Sequence, residues 1–101
     1  MIEDLIGRKA IIRARDAGVH YGTVVSITGR TVVLRNARRI WRWRGAMTLS
    51  DLATSSTPAL CPDHTRIAPK VKRLAVLDAC EVICTTKGAQ SRIKKVKPWR
   101  A

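Results

Sequence analysis

Residues 18–40, GVHYGTVVSITGRTVVLRNARRI, decide the fold. β-Branched side chains crowd Thr23, Val24, Val25 and Ile27, and again Thr31, Val32 and Val33, which suits a pleated, half-buried surface. Thr28-Gly29-Arg30 between them reads as a tight hairpin turn. Strands are expected over residues 20–27 and 31–34. Arg35-Asn36 reads as a turn or bulge, with a further strand over residues 38–44. Upstream, residues 8–15 (RKAIIRAR) read as a first strand, set off by the turn residues Asp16-Ala17-Gly18. A meander of short strands with glycine at its corners implies a small α+β domain, mainly β: a strongly bent antiparallel sheet or partial SH3-like barrel.

Beyond residue 44 the pattern changes. Thr48 is an N-cap candidate with Asp51 three residues on, and Leu49 and Leu52 make an i,i+3 apolar pair, so one or two helical turns are expected over residues 48–54. Residues 54–65, TSSTPALCPDHT, read as a surface loop, and residues 66–68 as a short edge strand. Residues 72–85 leave two readings open. Alternation favours a strand near Glu81-Val82-Ile83-Cys84, whereas Leu74, Leu77 and Asp78 also fit a helical turn. Residues 88–101 form a basic tail or arm, read either as a frayed helix or as disordered chain.

The 101 residues fit one domain, 1–101. Phe is absent, so the core must be Val, Ile, Leu and Ala. The formal net charge of +13 attracts polyanions: nucleic acid, nucleotides, an acidic membrane or an acidic protein surface. No apolar run approaches the ~20 residues of a spanning helix. Acidic Glu3 and Asp4 precede any apolar run, which does not suit a signal peptide. A cytoplasmic protein with three reduced cysteines is expected, without a membrane partner.

Residues 30–44, RTVVLRNARRIWRWR, concentrate the chemistry: six of fifteen are arginine, and no acid occurs between Asp16 and Asp51. Guanidinium forks grip phosphate and stack on rings, and Trp faces accept nucleobases or cations. Arg35, Arg38, Arg39, Arg42 and Arg44 are therefore the candidate phosphate ligands. Trp41, Trp43, His20 and Tyr21 are candidates for stacking or polar contact. In an extended strand Arg39, Trp41 and Trp43 share one face and Arg38, Ile40, Arg42 and Arg44 the other. The tryptophans can equally replace the missing Phe in the core. Arg92, Lys94, Lys95 and Lys97 would add electrostatic attraction from the tail. Cys61, His64, Cys80 and Cys84 form a weaker, zinc-like set. On one strand, however, Cys80 and Cys84 would stand about 13 Å apart, too far to share a metal. No acid pair or activated nucleophile stands out, so neither an enzyme nor a cofactor is expected.

Two resemblances add to this reading. Gly22, Gly29, Val33, Leu34 and Asn36 match the glycine, hairpin and aliphatic–polar positions of the first motif of Sm-like barrels, although Thr28 stands where that motif has an acid. Ala17-Gly18-Val19-His20-Tyr21-Gly22, then Ala37 through Ala46, then Thr48-Leu49 through Ala53, resemble a group of small basic phage and prophage proteins of unassigned function. That resemblance implies a phage gene acting in a bacterial host cytoplasm.

The function expected is a non-catalytic phage protein that binds a nucleotide-type anion, for example by sequestering a nucleotide immune signal. The alternatives are an RNA- or DNA-binding module and an inhibitor docking on a host immune protein. A homo-oligomer is expected, because a sheet of this size leaves its edges open.

Overall fold

In the computed structural model, which describes residues 2–99, the elements run η1 (Ile2–Leu5), β1 (Lys9–Ala14), β2 (Gly18–Thr28), β3 (Thr31–Arg42), α1 (Leu49–Thr54), β4 (Arg66–Ile67), β5 (Val71–Val76), β6 (Ala79–Cys84) and α2 (Lys87–Lys94). The α+β, mainly β expectation holds. Six antiparallel strands form one curled, open sheet ordered β4-β3-β2-β1-β6, with β5 also paired to β3. The two strands expected over residues 31–34 and 38–44 are a single strand, β3. Asn36 lies at its middle with φ 54°, a left-handed conformation that Asn tolerates, so the chain bulges and continues instead of turning.

Strand β3 is long enough to carry two partners on its outer side: β5 along Val32–Ala37 and β4 at Ile40 and Arg42. β6 pairs with β1 at the opposite edge. Only Leu77 and Asp78 separate β5 from β6, so the outer edges must approach one another. The strand reading near 81–84 is right, and Leu77-Asp78 is a turn, with Asp78 in the left-handed region at φ 54°. Ala79 N donates to Arg30 O over 2.8 Å, tying this turn to the β2–β3 hairpin.

The curl gives each face its own core. Inside it, Ala10, Ile12, Ala14, Val24, Val32, Leu34, Ala37 and Val76 pack together. Val82 of β6 joins the same cluster, so both edge strands cover one interior. On the outer face, Ile11, Ile40 and Ile67 meet Leu52 and Ala53 of α1, Leu60 of the loop, and Ile93 and Val96 of the C-terminal segment. Fully buried Ile and Leu contribute about 1.5–3 kcal/mol each, and they replace the missing Phe. Gly22 is required where β2 crosses the bulge. A Cβ there would lie 3.1 Å from both Ala37 Cα and Arg35 O.

α1 begins as expected, with Thr48 Oγ1 accepting from Asp51 N. Of the basic stretch 88–101, read either as a frayed helix or as disordered chain, the part up to Lys94 belongs to a packed helix, α2, and residues 100–101 lie outside the described residues. Thr86 caps it by accepting from Ala89 N, and Thr86 Oγ1 donates to Thr54 O. Ala89 and Ile93 are wholly buried, Ile93 in the outer-face core.

Candidate functional site

The predicted arginines separate into two groups. Arg38 is 5% exposed, and its guanidinium donates to three backbone carbonyls: Ala68 O at 3.0 Å, Ile93 O at 3.3 Å and Val96 O at 3.0 Å. Burial depresses its pKa, against which the neighbouring Tyr21 acts. Arg38 is thus a tie between β3 and the end of α2 rather than the exposed phosphate clamp expected. Arg92 behaves alike. It is 3% exposed and donates to Gly45 O, Pro58 O and Asp51 O at 3.0–3.1 Å. It belongs to the core and not to an electrostatic arm. Arg35, Arg39, Arg42 and Arg44 are exposed, as are Lys94, Lys95 and Lys97.

His20 is 1% exposed and sits opposite Ile12 on the interior face, so it offers no ring to a ligand. Its Nε2 lies 2.8 Å from Ala17 O, and Nδ1 is buried without a partner. Burial lowers its pKa. The Ala17 hydrogen bond opposes that shift, and the charge of Arg39 across the strand pair adds to it.

Strand β3 ends at Arg42, so strand parity no longer governs Trp43, which is half-buried against the outer-face core. Trp41 remains 52% exposed. Cys80 and Cys84 lie four residues apart on β6, and among the described residues no three His, Cys, Asp or Glu side chains converge as a metal site would need. Among the described residues no helix is long and apolar enough to cross a membrane.

What the fold assembles instead is a lysine-rich groove between α2 and the outer face of the sheet. Paired residues stand side by side on one face, so the registers Lys9–Thr23–Arg35–Arg73 align three cations and a hydroxyl across β1, β2, β3 and β5. The adjoining row is Ile11–Tyr21–Arg38. Beside these rows opens a cavity of ≈ 410 Å³ lined by Lys9, Lys70, Lys87 and Lys94 around Tyr21, Thr23 and Asn36, with no acidic residue in its wall.

Tyr21 is half-buried at the base of this groove. Burial raises its pKa, while the positive charge of Arg38 and a hydrogen bond with the Thr85 side chain pull it down. Gln90 Nε2 donates to Thr85 O and Oγ1 at 3.1 and 3.0 Å, locking α2 over the tyrosine. Sequence reasoning chose Tyr21 and Lys94 but missed Lys9, Lys70 and Lys87. The available signal was strand register: Lys9 stands beside Thr23 only because β1 and β2 pair as they do.

A second cavity, ≈ 680 Å³, lies on the far side of α2, walled by Leu60, Pro62, Val96, Pro98 and Trp99 with Lys95 and Lys97. Trp99 N donates to Ile67 O, which brings the residue back alongside β4. Its ring meets Trp41 edge-on at 5.1 Å between centroids, and Arg66 Cζ lies 5.1 Å from the Trp99 centroid. Of these three residues only Trp41 is among the candidates read from the sequence; Arg66 and Trp99 join it from distant parts of the chain.

No curated protein and no solved structure matches the chain. Residues 7–93 match the model of a family described as a domain of unknown function, DUF6948, and the chain belongs to that family.

Proposed function

We propose that this protein is a non-catalytic binder of nucleotide-type phosphate, with the anion seated in the groove between α2 and the sheet. The observation that carries the reading is the convergence of Lys9, Lys70, Lys87 and Lys94, from three separate parts of the chain, around Tyr21 and Thr23 without a carboxylate. Cations gathered around one groove repel one another, and a bound anion relieves that repulsion. Ammonium groups and hydroxyls suit phosphate oxygens. A volume of ≈ 410 Å³ falls within the few hundred Å³ typical of small-ligand sites. In the phage or prophage setting that the sequence resemblance implies, the binding would sequester a nucleotide immune signal of the host.

A second reading, attachment to RNA or DNA, is favoured by one feature. Arg35 and Arg73 stand opposite each other on β3 and β5, beyond the groove, and extend its charge along the sheet. Like charges directly opposed are unfavourable unless an anion lies between them.

The test is to purify the protein from host cytosol, record absorbance at 260 nm, denature it and identify the released material by mass spectrometry. A discrete nucleotide or short oligonucleotide, lost from a Lys87→Glu/Lys94→Glu variant, is the expected result. Heterogeneous nucleic acid released by high salt favours the polymer reading. Absence of nucleotide, together with no binding of added nucleotides, overturns both and leaves a protein target.

A further inference from the structure

We propose that the ligand is a short single-stranded nucleic acid that crosses α2, with phosphate in the lysine groove and a base held at the Trp41–Trp99–Arg66 platform. This rests on the phosphate-binding reading above and adds a second, aromatic half to the site.

Three observations meet here. The chain has three Trp, one Tyr and no Phe, so aromatic rings are scarce core material. Yet Trp41 and Trp99 remain 52% and 39% exposed, in mutual contact, with the Arg66 guanidinium over the Trp99 ring. Arg66 Nη1 donates to Asp63 O, which holds the guanidinium in place. Exposed, oriented rings with an arginine beside them stack bases irrespective of sequence.

The platform also has space beside it. Trp99 forms part of the wall of the ≈ 680 Å³ cavity, whose apolar surface comes from Leu60, Val96 and Pro98 and whose charged residues are cationic. A flat heterocycle carried on an anionic backbone matches that combination.

Finally, the two cavities are neighbours. Ser91 lines both, and the exposed ridge of α2 between them presents Lys87, Ser91, Lys94 and Lys95. A small hydroxyl flanked by cations gives a phosphate backbone a low place to cross. With its side chains a helix is about 10–12 Å across. That exceeds the reach from a base to its own phosphate, so a mononucleotide fills one half only. A duplex keeps all but its terminal base faces stacked inside and offers none to the tryptophans along its length.

The test uses the full chain and four probes: inorganic tripolyphosphate, thymidine monophosphate, oligothymidylates of graded length, and a blunt DNA duplex. Tryptophan emission and calorimetric affinity are read for wild type, Trp41→Ala, Trp41→Phe and Lys87→Glu/Lys94→Glu, each first shown to be folded by circular dichroism. Oligothymidylate affinity should step up at the length that spans α2, with quenched emission. Trp41→Ala should weaken the longer oligomers by about tenfold or more and leave tripolyphosphate unchanged, while Trp41→Phe restores most of the loss. The lysine variant should lose every probe. If Trp41→Ala binds oligomers as wild type does, or if duplex binds as tightly as single strand, the crossing is overturned while the phosphate site stands. If wild type binds neither tripolyphosphate nor oligomer, the phosphate site itself is wrong and the crossing falls with it.

Discussion

Arg38 and Arg92 form a relay of buried cations across α2. Arg38 reaches up from β3 to the carbonyl of Ile93, the residue that follows Arg92, and Arg92 reaches onward to Asp51 O in α1. Arg38 through Nε, Nη1 and Nη2, and Arg92 through Nη1 and Nη2 with its Nε left unpartnered, donate to backbone oxygens, so each guanidinium fastens chain segments that apolar packing alone would leave free to slide. A short helix of eight residues is marginal by itself, and these bonds with Ala89 and Ile93 explain its fixed seat.

Replacing Arg38 by Met should therefore destabilise the fold by about 2–4 kcal/mol, because buried carbonyls lose their donors. Arg38→Lys should recover only part, since an ammonium cannot reproduce the planar fork. Arg39→Ala, at the exposed neighbouring position, should stay within about 0.5 kcal/mol of wild type. Urea denaturation of the three variants checks the contrast, and equal effects at positions 38 and 39 would remove the relay.

Gly22→Ala should cost about 1–3 kcal/mol through overpacking. The new Cβ meets backbone atoms of Ala37 and Arg35 at 3.1 Å, and neither can rotate away. Gly29→Ala meets no atom but must hold φ at 59°, so its penalty is conformational and smaller. Thermal melts of both variants measure the difference.

His20 makes stability depend on pH. Its folded pKa lies below the usual 6.5, chiefly through burial, so the unfolded chain binds the proton more readily. The contribution is fully present above pH 6.5 and is lost as pH falls through the folded pKa. Urea midpoints should therefore decline below about pH 6.5 in wild type, and decline less over that interval in His20→Gln. An unchanged slope in the variant would assign the pH dependence to other groups.

Phosphate binding in the groove should fall with salt. Removing one contacting lysine, by Lys70→Ala or Lys87→Ala, should lower affinity for a single-stranded oligomer and reduce the slope of log K against log salt by about 0.7. The exposed Lys72, on β5 and outside the groove wall, is the control. An equal reduction on Lys72→Ala would mean diffuse attraction instead of a defined site.

Much of the fold was legible because β-branching, glycine corners and the Thr48 cap are local signals. The first two strands and α1 sit near their expected positions for that reason. Arg35-Asn36 left a turn and a bulge both open, because a left-handed residue ends a strand in a turn but only kinks it in a bulge, and pairing with β2 and β5 decides for the bulge. The site was less legible. Counting arginines pointed to residues 38–44, but whether a guanidinium meets solvent or a carbonyl depends on what packs over it. Arg38 lies beneath α2, whereas Arg39 faces away. The lysines of the groove come from β1, the β4–β5 connection and α2, so no window of sequence holds them.

The pairing of β1 with β6 has a kinetic consequence. Ala10 meets Cys84, and Lys9 faces a groove whose other wall carries Lys94. Closing contacts across such a span incurs loop entropy early, and topologies dominated by non-local pairings fold slowly. A chain holding only the β1–β2–β3 meander has no groove, since Lys70 and the α2 residues Lys87, Gln90, Ser91 and Lys94 of its wall come from later segments. The anion binding proposed above therefore requires α2 in place, and a chain interrupted before α2 would lack that wall of the groove even with most of its sheet formed.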